Sequence, residues 1–239
     1  MRGQTFAGLA ALTLAVGFNL PYAALATLYA YPAILRRPAG EALDLFAAGG
    51  PPLILAWTLF MLAALAMVPL ATALSITPQR LAARPALAVG AAASGALAGL
   101  AQAIGLSRWV FAVPALARAH TTGTPEARAS AEHAFDLLNA WGGVAIGEHL
   151  GQMLTAAFVL QVALLQRAER RTAASLAGLI TTTLLIAGAA EGPAIALGVP
   201  GEAFALATIA GFLGLTLWLI ATGAGLLRGP RVAPGPIAP

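Results

Sequence analysis

Six apolar segments dominate the sequence, and they constrain its fold more than any other feature. A helix needs roughly 20 residues to cross the hydrocarbon core of a bilayer. The six segments meet this length, at about residues 6–28, 53–74, 86–106, 147–166, 173–190 and 204–226. Because lipid offers the backbone no hydrogen-bond partner, such segments cross it as helices. The sequence therefore predicts an all-α polytopic bundle of six transmembrane helices.

The charge content excludes an ordinary soluble domain. Charged residues make up 9% of the chain and hydrophobic residues 59%, whereas soluble domains carry roughly a quarter charged residues. Residues 1–228 are expected to form one membrane domain in contact with lipid, and the proline-rich residues 229–239 a disordered tail. The basic residues are 13 arginines scattered between the apolar segments. No basic block occurs, so no nucleic-acid partner is predicted.

The placement of arginine predicts the orientation, because positively charged loops are retained in the cytoplasm. The side shared by both termini holds eight arginines: Arg2, Arg80, Arg84, Arg167, Arg170, Arg171, Arg228 and Arg231. The other side holds five in longer connections: Arg36, Arg37, Arg108, Arg118 and Arg128. Of the acidic residues, only Glu169 falls on the first side. We expect a protein of the cytoplasmic (inner) membrane with both termini in the cytoplasm.

The first apolar segment has a second interpretation. Arg2, the apolar run and the small residues at 24–26 resemble a secretory signal peptide with its cleavage site. The run continues past that site through Tyr29 and Tyr31, which favours an uncleaved span. Removal of residues 1–26 stays an open alternative, and the later spans keep the same orientation in either case.

Two long connections, at 29–52 and 107–146, lie on the predicted outer side and are expected to form a small cap. Residues 38–50 predict a short amphipathic helix that ends at glycines. Trp109 and Trp141 fall near the predicted outer boundary of the bilayer. Amphipathic tryptophan rings anchor helices at that depth, so both are expected at the interface.

A single long helix is predicted from Thr124 to Arg171. Thr124 and Pro125 are a typical helix start, and glycines recur at steps of four further along. Small residues at this spacing let helix backbones approach closely in lipid. Five glycines in two spans are therefore interpreted as intramolecular packing positions, with a homodimer face as the alternative: Gly95, Gly99, Gly143, Gly147 and Gly151.

Polar side chains are expected to gather at the outer ends of the spans. The candidates are Arg108, Asn139, Glu148, His149 and Glu191. Ionisable groups near membrane depth are costly and are by default a sign of function. In one interpretation Glu148 pairs with Arg108 and a hydrogen-bonded His149 ties the helix ends together. In the other, all five line an outward-facing polar pocket.

A metal or cofactor site has little support in the sequence. Glu148 and His149 do not match the ligand spacing of a metal site. His120 and His133 are expected in or near a flexible loop, so a haem held by two histidines is not predicted. The sequence also lacks a glycine-rich phosphate loop, a Gly-x-Ser-x-Gly elbow and a His-Glu-x-x-His helix. We therefore predict no metal and no cofactor.

Two passages carry a family resemblance: LSRWVFAVPALAR at 106–118 and FDLLNAWGGVAIGEHLG at 135–151. LRRPAGE at 35–41 and AAGG at 47–50 add to it. Together they resemble an uncharacterised bacterial family of multi-pass membrane proteins known only as a domain of unknown function. The resemblance implies an integral membrane fold of six to seven spans. It implies no established activity and offers no catalytic residues to carry over.

The sequence favours a non-enzymatic membrane protein that binds a small molecule, a lipid or a partner subunit at its outer face. This hypothesis requires a cavity beside Arg108, Glu148 and His149. One alternative is an outward-facing enzyme that uses Glu148 and His149 as an acid–base pair, which divergent side chains would count against. The other is an accessory subunit of a membrane complex, which a closed bundle with inward-facing glycines would not favour.

Overall fold

The computed structural model describes residues 2–228, with the side chain of Arg2 excepted. The predicted disordered tail at 229–239 lies outside the described residues. Between residues 2 and 228 the chain is helical apart from turns, and six helices there are long and apolar enough to cross a membrane. The predicted all-α, six-span membrane architecture is confirmed.

The helices follow one another with short connections. In chain order they are α1 (Arg2–Tyr29), α2 (Ala39–Ser75), α3 (Pro78–Ala83), α4 (Pro85–Phe111), α5 (Val113–Thr122), α6 (Pro125–Leu138), α7 (Gly151–Ala168), α8 (Thr172–Ala189), α9 (Glu191–Ala196) and α10 (Glu202–Leu227). A 3₁₀ turn, Ala33–Arg36, precedes α2, and a π-helical segment, Asn139–Leu150, joins α6 to α7 without a break. The six spans are α1, α2, α4, α7, α8 and α10.

Helix α2 consists of two parts that meet at Gly50. The backbone of Gly50 has φ 56° and ψ −150°, a conformation that side chains with a Cβ rarely adopt. The part before Gly50 is the amphipathic helix predicted at 38–50, which is confirmed. Pro51 and Pro52 then open the membrane-spanning part, where proline suits the first helical turn.

The six spans form a closed ring in chain order. Each span packs against the next, and α10 packs back against α1. The two ends of the described chain meet there: a Cβ added at Gly8 would lie 3.0 Å from the carbonyl oxygen of Gly223. We call this the terminal end of the bundle. The opposite end, which carries residues 30–38, α5, α6 and α9, is the cap end.

Each half of the bundle has its own hydrophobic core. The core of the terminal half is built from five spans and includes Phe158 and Trp218, whose rings meet edge to face at 5.7 Å. The core of the cap half joins α1, α2, α4, α5 and α6 around Trp57 and Trp109. The two indoles stack with centroids 4.7 Å apart and planes 8° apart. Each core buries large apolar side chains from several helices and fixes their packing.

The expectation that Trp109 anchors the chain at the bilayer interface is wrong. Its ring is buried in the core of the cap half, because α5 and α6 fold over the end of α4. Trp141 is 71% exposed, as an interfacial anchor requires.

Uncharged amide side chains connect neighbouring spans at membrane depth. Gln102 donates to Thr155 at 2.8 Å, Gln166 to Thr222 at 2.9 Å, and Asn19 to Thr216 at 2.8 Å. Such bonds contribute roughly 0.6–2 kcal/mol each between membrane helices. They hold the helices together without placing a charge in the hydrocarbon.

The predicted long helix is present as a continuous run, Pro125–Ala168. Its π-helical segment was not expected from the sequence. In a π-helix each backbone N–H bonds five residues back, and such segments are frequently found at functional sites. The segment contains three of the candidate polar residues, Asn139, Glu148 and His149. It therefore decides where these side chains lie.

The five glycines that were interpreted as packing positions all lie against other helices of the same chain. A Cβ added at each would approach the following atoms: Ala71 Cβ at 2.5 Å for Gly95, Ala64 O at 2.6 Å for Gly99, Arg108 Nη2 at 2.5 Å for Gly143, Gly105 Cα at 3.1 Å for Gly147, and Gln102 Cγ at 2.9 Å for Gly151. Real Cβ atoms essentially never come closer than 3.0 Å. Most of these positions therefore have no room for a side chain.

Gly99→Ala is expected to lower the free energy of unfolding by about 1–3 kcal/mol, because overpacking forces the backbones of α2 and α4 apart. The matched control is Gly3→Ala, where an added Cβ meets nothing within 4 Å and alanine favours the helix. Thermal unfolding of both variants in one detergent, followed by tryptophan emission, measures the difference. Equal stability of the two variants would contradict the packing role of Gly99.

Candidate functional site

A cavity of about 500 Å³ lies within the ring of spans, between the two cores. All six spans contribute to its walls. Leu215 belongs to the core of the terminal half and Trp109 to the core of the cap half, and both line the cavity. Small-molecule sites in proteins have volumes of about 300–1,000 Å³. The cavity is therefore large enough for one small ligand.

The lining of the cavity is charged at the cap end and uncharged and mostly apolar at membrane depth. The lining residues with an acidic or basic side chain are Arg36, Arg108, Glu148, His149 and Glu191. The apolar lining deeper in the spans includes Phe18, Phe60, Phe212, Leu213 and Leu215. Four of the five predicted site residues line this cavity together, and the fifth, Asn139, does not.

Arg36 joins two carboxylates at the mouth of the cavity. The chain leaves α1 through Ala30, whose φ is 51°, and the turn Ala33–Arg36 brings the guanidinium over the site. Its Nη2 lies 2.7 Å from Glu148 Oε2 and 3.0 Å from Glu191 Oε1. The predicted partner of Glu148 was Arg108, and this prediction is wrong. The guanidinium of Arg108 instead turns back towards its own helix.

The charge of Arg36 is stabilised where it lies. Burial disfavours the charged form, but attraction and hydrogen bonds to Glu148 and Glu191 outweigh it, so the pKa of Arg36 is raised. Arginine is protonated at all physiological pH in any case. The three side chains therefore act as one ion-paired unit that ties the turn before α2 to the π-helical segment and to α9.

Arg108 is a buried cation that forms no ion pair within residues 2–228. Its side chain is 8% exposed, Nη1 donates to the carbonyl oxygen of Gly105, and Nη2 donates to Asn139 Oδ1 at 3.2 Å. Its Nε–H is enclosed and meets no acceptor in residues 2–228. The guanidinium also lies 4.9 Å from the ring centroid of Trp109. Its described partners thus carry partial charges only.

Asn139 positions Arg108 instead of lining the cavity. Its Oδ1 accepts from Arg108, and its Nδ2 donates to the carbonyl oxygen of Leu35 at 3.2 Å. Asn139 therefore connects the π-helical segment, α4 and the turn that carries Arg36. The arrangement fixes both arginines with respect to the cavity.

His149 is oriented by the end of α8. Its Nδ1 lies 2.8 Å from the carbonyl oxygen of Ala189. A carbonyl only accepts, so Nδ1 carries a proton and Nε2 is the acceptor in the neutral ring. Glu148 bonds Arg36 while His149 bonds α8, so the neighbouring side chains reach different elements. This divergence counts against an acid–base pair.

Aromatic rings form the wall of the cavity beside the cap. Tyr31 meets Trp57 edge to face, with centroids 5.4 Å apart, and Trp57 stacks on Trp109. Burial, with the nearby charge of Glu148, raises the pKa of Tyr31, so its hydroxyl stays protonated at neutral pH. The indole N–H of Trp57 is enclosed and, like Arg108 Nε, meets no acceptor among the described residues.

Several lining residues were not found from the sequence. Arg36 sits in a loop, and nothing in its sequence neighbourhood shows which helix it reaches. Gln102, Gln152, Tyr31 and Trp57 also line the cavity, yet amides and aromatic rings are common in the interior of membrane bundles. The one available signal was the LRRPAGE passage, because it contains Arg36.

A second titratable cluster lies in the cap. His120 is buried in α5, with Nε2 3.2 Å from Asp44 and Nδ1 3.2 Å from Glu132. The expectation of a flexible loop around His120 is therefore wrong. The two carboxylates lie at opposite ring nitrogens and do not converge on one point. In the described ranges, no group of three His, Cys, Asp or Glu side chains is arranged to hold a metal ion.

Comparison with protein families gives one match. The profile of a domain of unknown function, DUF4386, matches residues 6–223. The chain belongs to the DUF4386 family. The predicted membership of an uncharacterised family is thus confirmed, and the match covers every residue that lines the cavity. Neither the curated proteins nor the solved structures give a match, so DUF4386 membership brings no assigned activity or site.

The ion pair between Arg36 and Glu148 is expected to show a coupling energy of about 0.5–1 kcal/mol in a double-mutant cycle of Arg36→Gln and Glu148→Gln. The matched control is the exposed pair Arg37–Glu41, 2.8 Å apart on one turn, with an expected coupling of about 0.3–0.5 kcal/mol. Thermal unfolding at low and high salt measures both. A coupling for Arg36 and Glu148 no larger than that of the control would contradict a fixed ion-paired unit.

Proposed function

We propose that this membrane protein binds a small amphiphilic molecule in the cavity at its cap end. The observation that supports the proposal is the division of the cavity lining into a charged end and an uncharged, mostly apolar depth. Apolar walls contribute affinity at roughly 25 cal/mol per Å² of buried surface. A few polar groups at one end would fix the orientation of the ligand.

The pre-ordered polar end supports binding of a single ligand orientation. Arg36, Arg108 and His149 each have a described hydrogen-bond partner that fixes the side chain before any ligand arrives. A pre-organised site loses less conformational entropy on binding than a flexible one. The fixed side chains at the mouth would therefore hold the head group of the ligand in one orientation.

No specific observation favours the two other hypotheses, an enzyme or an accessory subunit. An enzyme that uses Glu148 and His149 as an acid–base pair needs both groups at one point, whereas each is committed to a different partner. An accessory subunit or a homodimer would use a free face of small residues. The glycines that were predicted as such a face contact helices of the same chain. Binding of a small molecule is the proposal that the geometry supports best.

We place the protein in the cytoplasmic (inner) membrane, with the cap end outside and both termini in the cytoplasm. The terminal end carries the short connections at 76–77, 84 and 169–171, with Arg80, Arg84, Arg170 and Arg171 in or beside them. The cap end carries the Arg36 ion pairs and the acidic residues of α2, α6 and α9. Positively charged short loops are retained in the cytoplasm, which supports this orientation.

Ala205→Phe is expected to abolish or strongly reduce retention of a co-purified ligand, because Ala205 lines the cavity and a phenyl ring would occupy its volume. The matched control is Ala203→Phe, two residues earlier on α10, where the side chain is exposed and does not line the cavity. Native mass spectrometry of nanodisc-purified protein detects the bound mass. Equal retention of the ligand mass by both variants would contradict binding in this cavity. Absence of a bound mass from the unmutated protein and from both variants would contradict it as well.

The orientation can be tested with single cysteines, since the natural chain contains none. A membrane-impermeant maleimide is expected to label Thr122→Cys in intact cells, because this residue lies at the cap end. Gln79→Cys, at the terminal end, should react only after permeabilisation. The reverse labelling pattern would overturn the proposed orientation.

A further inference from the structure

Several residues of α1 and α10 both line the cavity and are exposed on the lipid-facing surface, which indicates that the cavity opens towards lipid beside these two helices. Leu213 lines the cavity and is also 56% exposed, and Phe212 and Ile209 combine lining and exposure in the same way. On α1, the partly exposed Phe18 and Tyr22 face the same space. A hydrogen bond between α1 and α10, from Asn19 to Thr216 at 2.8 Å, connects the two helices at the depth of these residues.

This position of the opening restricts the kind of ligand. The rim residues lie in membrane-spanning helices, and apart from the hydroxyl of Tyr22 their side chains are apolar. A molecule that passes between them comes from the bilayer, where its apolar part already resides. Its polar head would then meet the charged end of the cavity.

At that end, Arg108 has no ion-pair partner among the residues that the structure describes. A buried cation is stable only when paired or fully hydrogen-bonded, and its acceptors in the described chain are one carbonyl and one amide oxygen. Glu148 attracts Arg108 at longer range, but its ion pair is with Arg36. An unmet Nε–H, enclosed in the wall, adds a donor without an acceptor.

We propose that Arg108 binds the acidic group of a singly charged amphiphile that enters from the bilayer between α1 and α10. This inference rests on the proposed function and names the chemistry of its ligand: a carboxylate or a phosphodiester on an acyl chain. The anion would lie beside the guanidinium of Arg108, and the chain along Phe18, Phe60 and Phe212.

The charges around the mouth limit the ligand to a single negative charge. Arg36, Glu148 and Glu191 together carry one negative charge, and Arg108 adds one positive charge that has no ion-pair partner among the described residues. One anion beside Arg108 is accommodated because Arg36 holds both carboxylates. A polyanion would be repelled by Glu148 and Glu191 without a further cation to offset it.

The test uses quenching of tryptophan emission by brominated acyl chains. Trp57 and Trp109 line the cavity, and a Trp141→Phe background removes the ring that bulk detergent contacts. Dibromostearic acid is expected to quench with saturable binding, and its uncharged methyl ester to bind roughly tenfold more weakly or worse. Arg108→Gln should weaken binding of the acid by a similar factor and leave the ester unchanged, while Arg108→Lys should retain binding of the acid.

Arg37→Gln is the control, because Arg37 neighbours Arg36 in sequence but pairs with Glu41 outside the cavity. It should change neither affinity. A brominated lysophosphatidylglycerol tests the phosphodiester source, and butyrate tests a free acid without a long chain. Competition by butyrate as strong as by stearate would overturn the bilayer amphiphile.

The outcomes separate this inference from the proposed function. Saturable quenching by the ester as strong as by the acid would overturn the role of Arg108 and leave the amphiphile site in place. Absence of saturable quenching by every brominated probe would overturn both. The comparison of acid and ester needs only the Trp141→Phe protein, so the inference stays testable even if Arg108→Gln does not fold.

Discussion

The bilayer offers no hydrogen-bond partner to the backbone, and the rest of the structure follows from this constraint. Each span must be helical, and the helices must then find one another without a hydrophobic driving force. Two kinds of contact supply the attraction. Helix backbones approach closely at glycines such as Gly99, and uncharged amide side chains form hydrogen bonds between helices, as Gln166 does to Thr222. The result is a closed ring of six spans.

The ion-paired charged residues lie at the two ends of the bundle, away from the apolar middle of the ring. At the terminal end, Arg80 forms a two-point ion pair with Glu169, at 2.5 and 2.9 Å. At the cap end, Arg36 holds Glu148 and Glu191, and Arg108 remains a cation with neutral partners. The second arrangement borders the cavity. The two cap-end arginines therefore differ in role. Arg36, which is paired with two carboxylates, is a structural contact, whereas Arg108, which has neutral partners, is the proposed binding group.

The cap explains why the cavity with the charged lining lies where it does. Five spans fill the terminal half with packed side chains around Phe158 and Trp218. At the other end, Trp57 and Trp109 pack in a core with α2, α5 and α6. Their rings form one wall of the cavity and do not fill it. The π-helical segment widens the helix at the same level and presents Glu148 and His149 to that space.

Much of the fold was predictable from the sequence, because the length and apolarity of a span are local properties. The six spans, the amphipathic helix that ends at Gly50 and the gathering of Arg108, Glu148, His149 and Glu191 at one end followed from spacing alone. The sequence determined which residues reach membrane depth. Only the tertiary structure decided their partners: Arg36 instead of Arg108 for Glu148, burial of Trp109 and a π-helical stretch at 139–150. These depend on how the connections fold over the ring, and contacts between residues more than a hundred positions apart leave no local pattern.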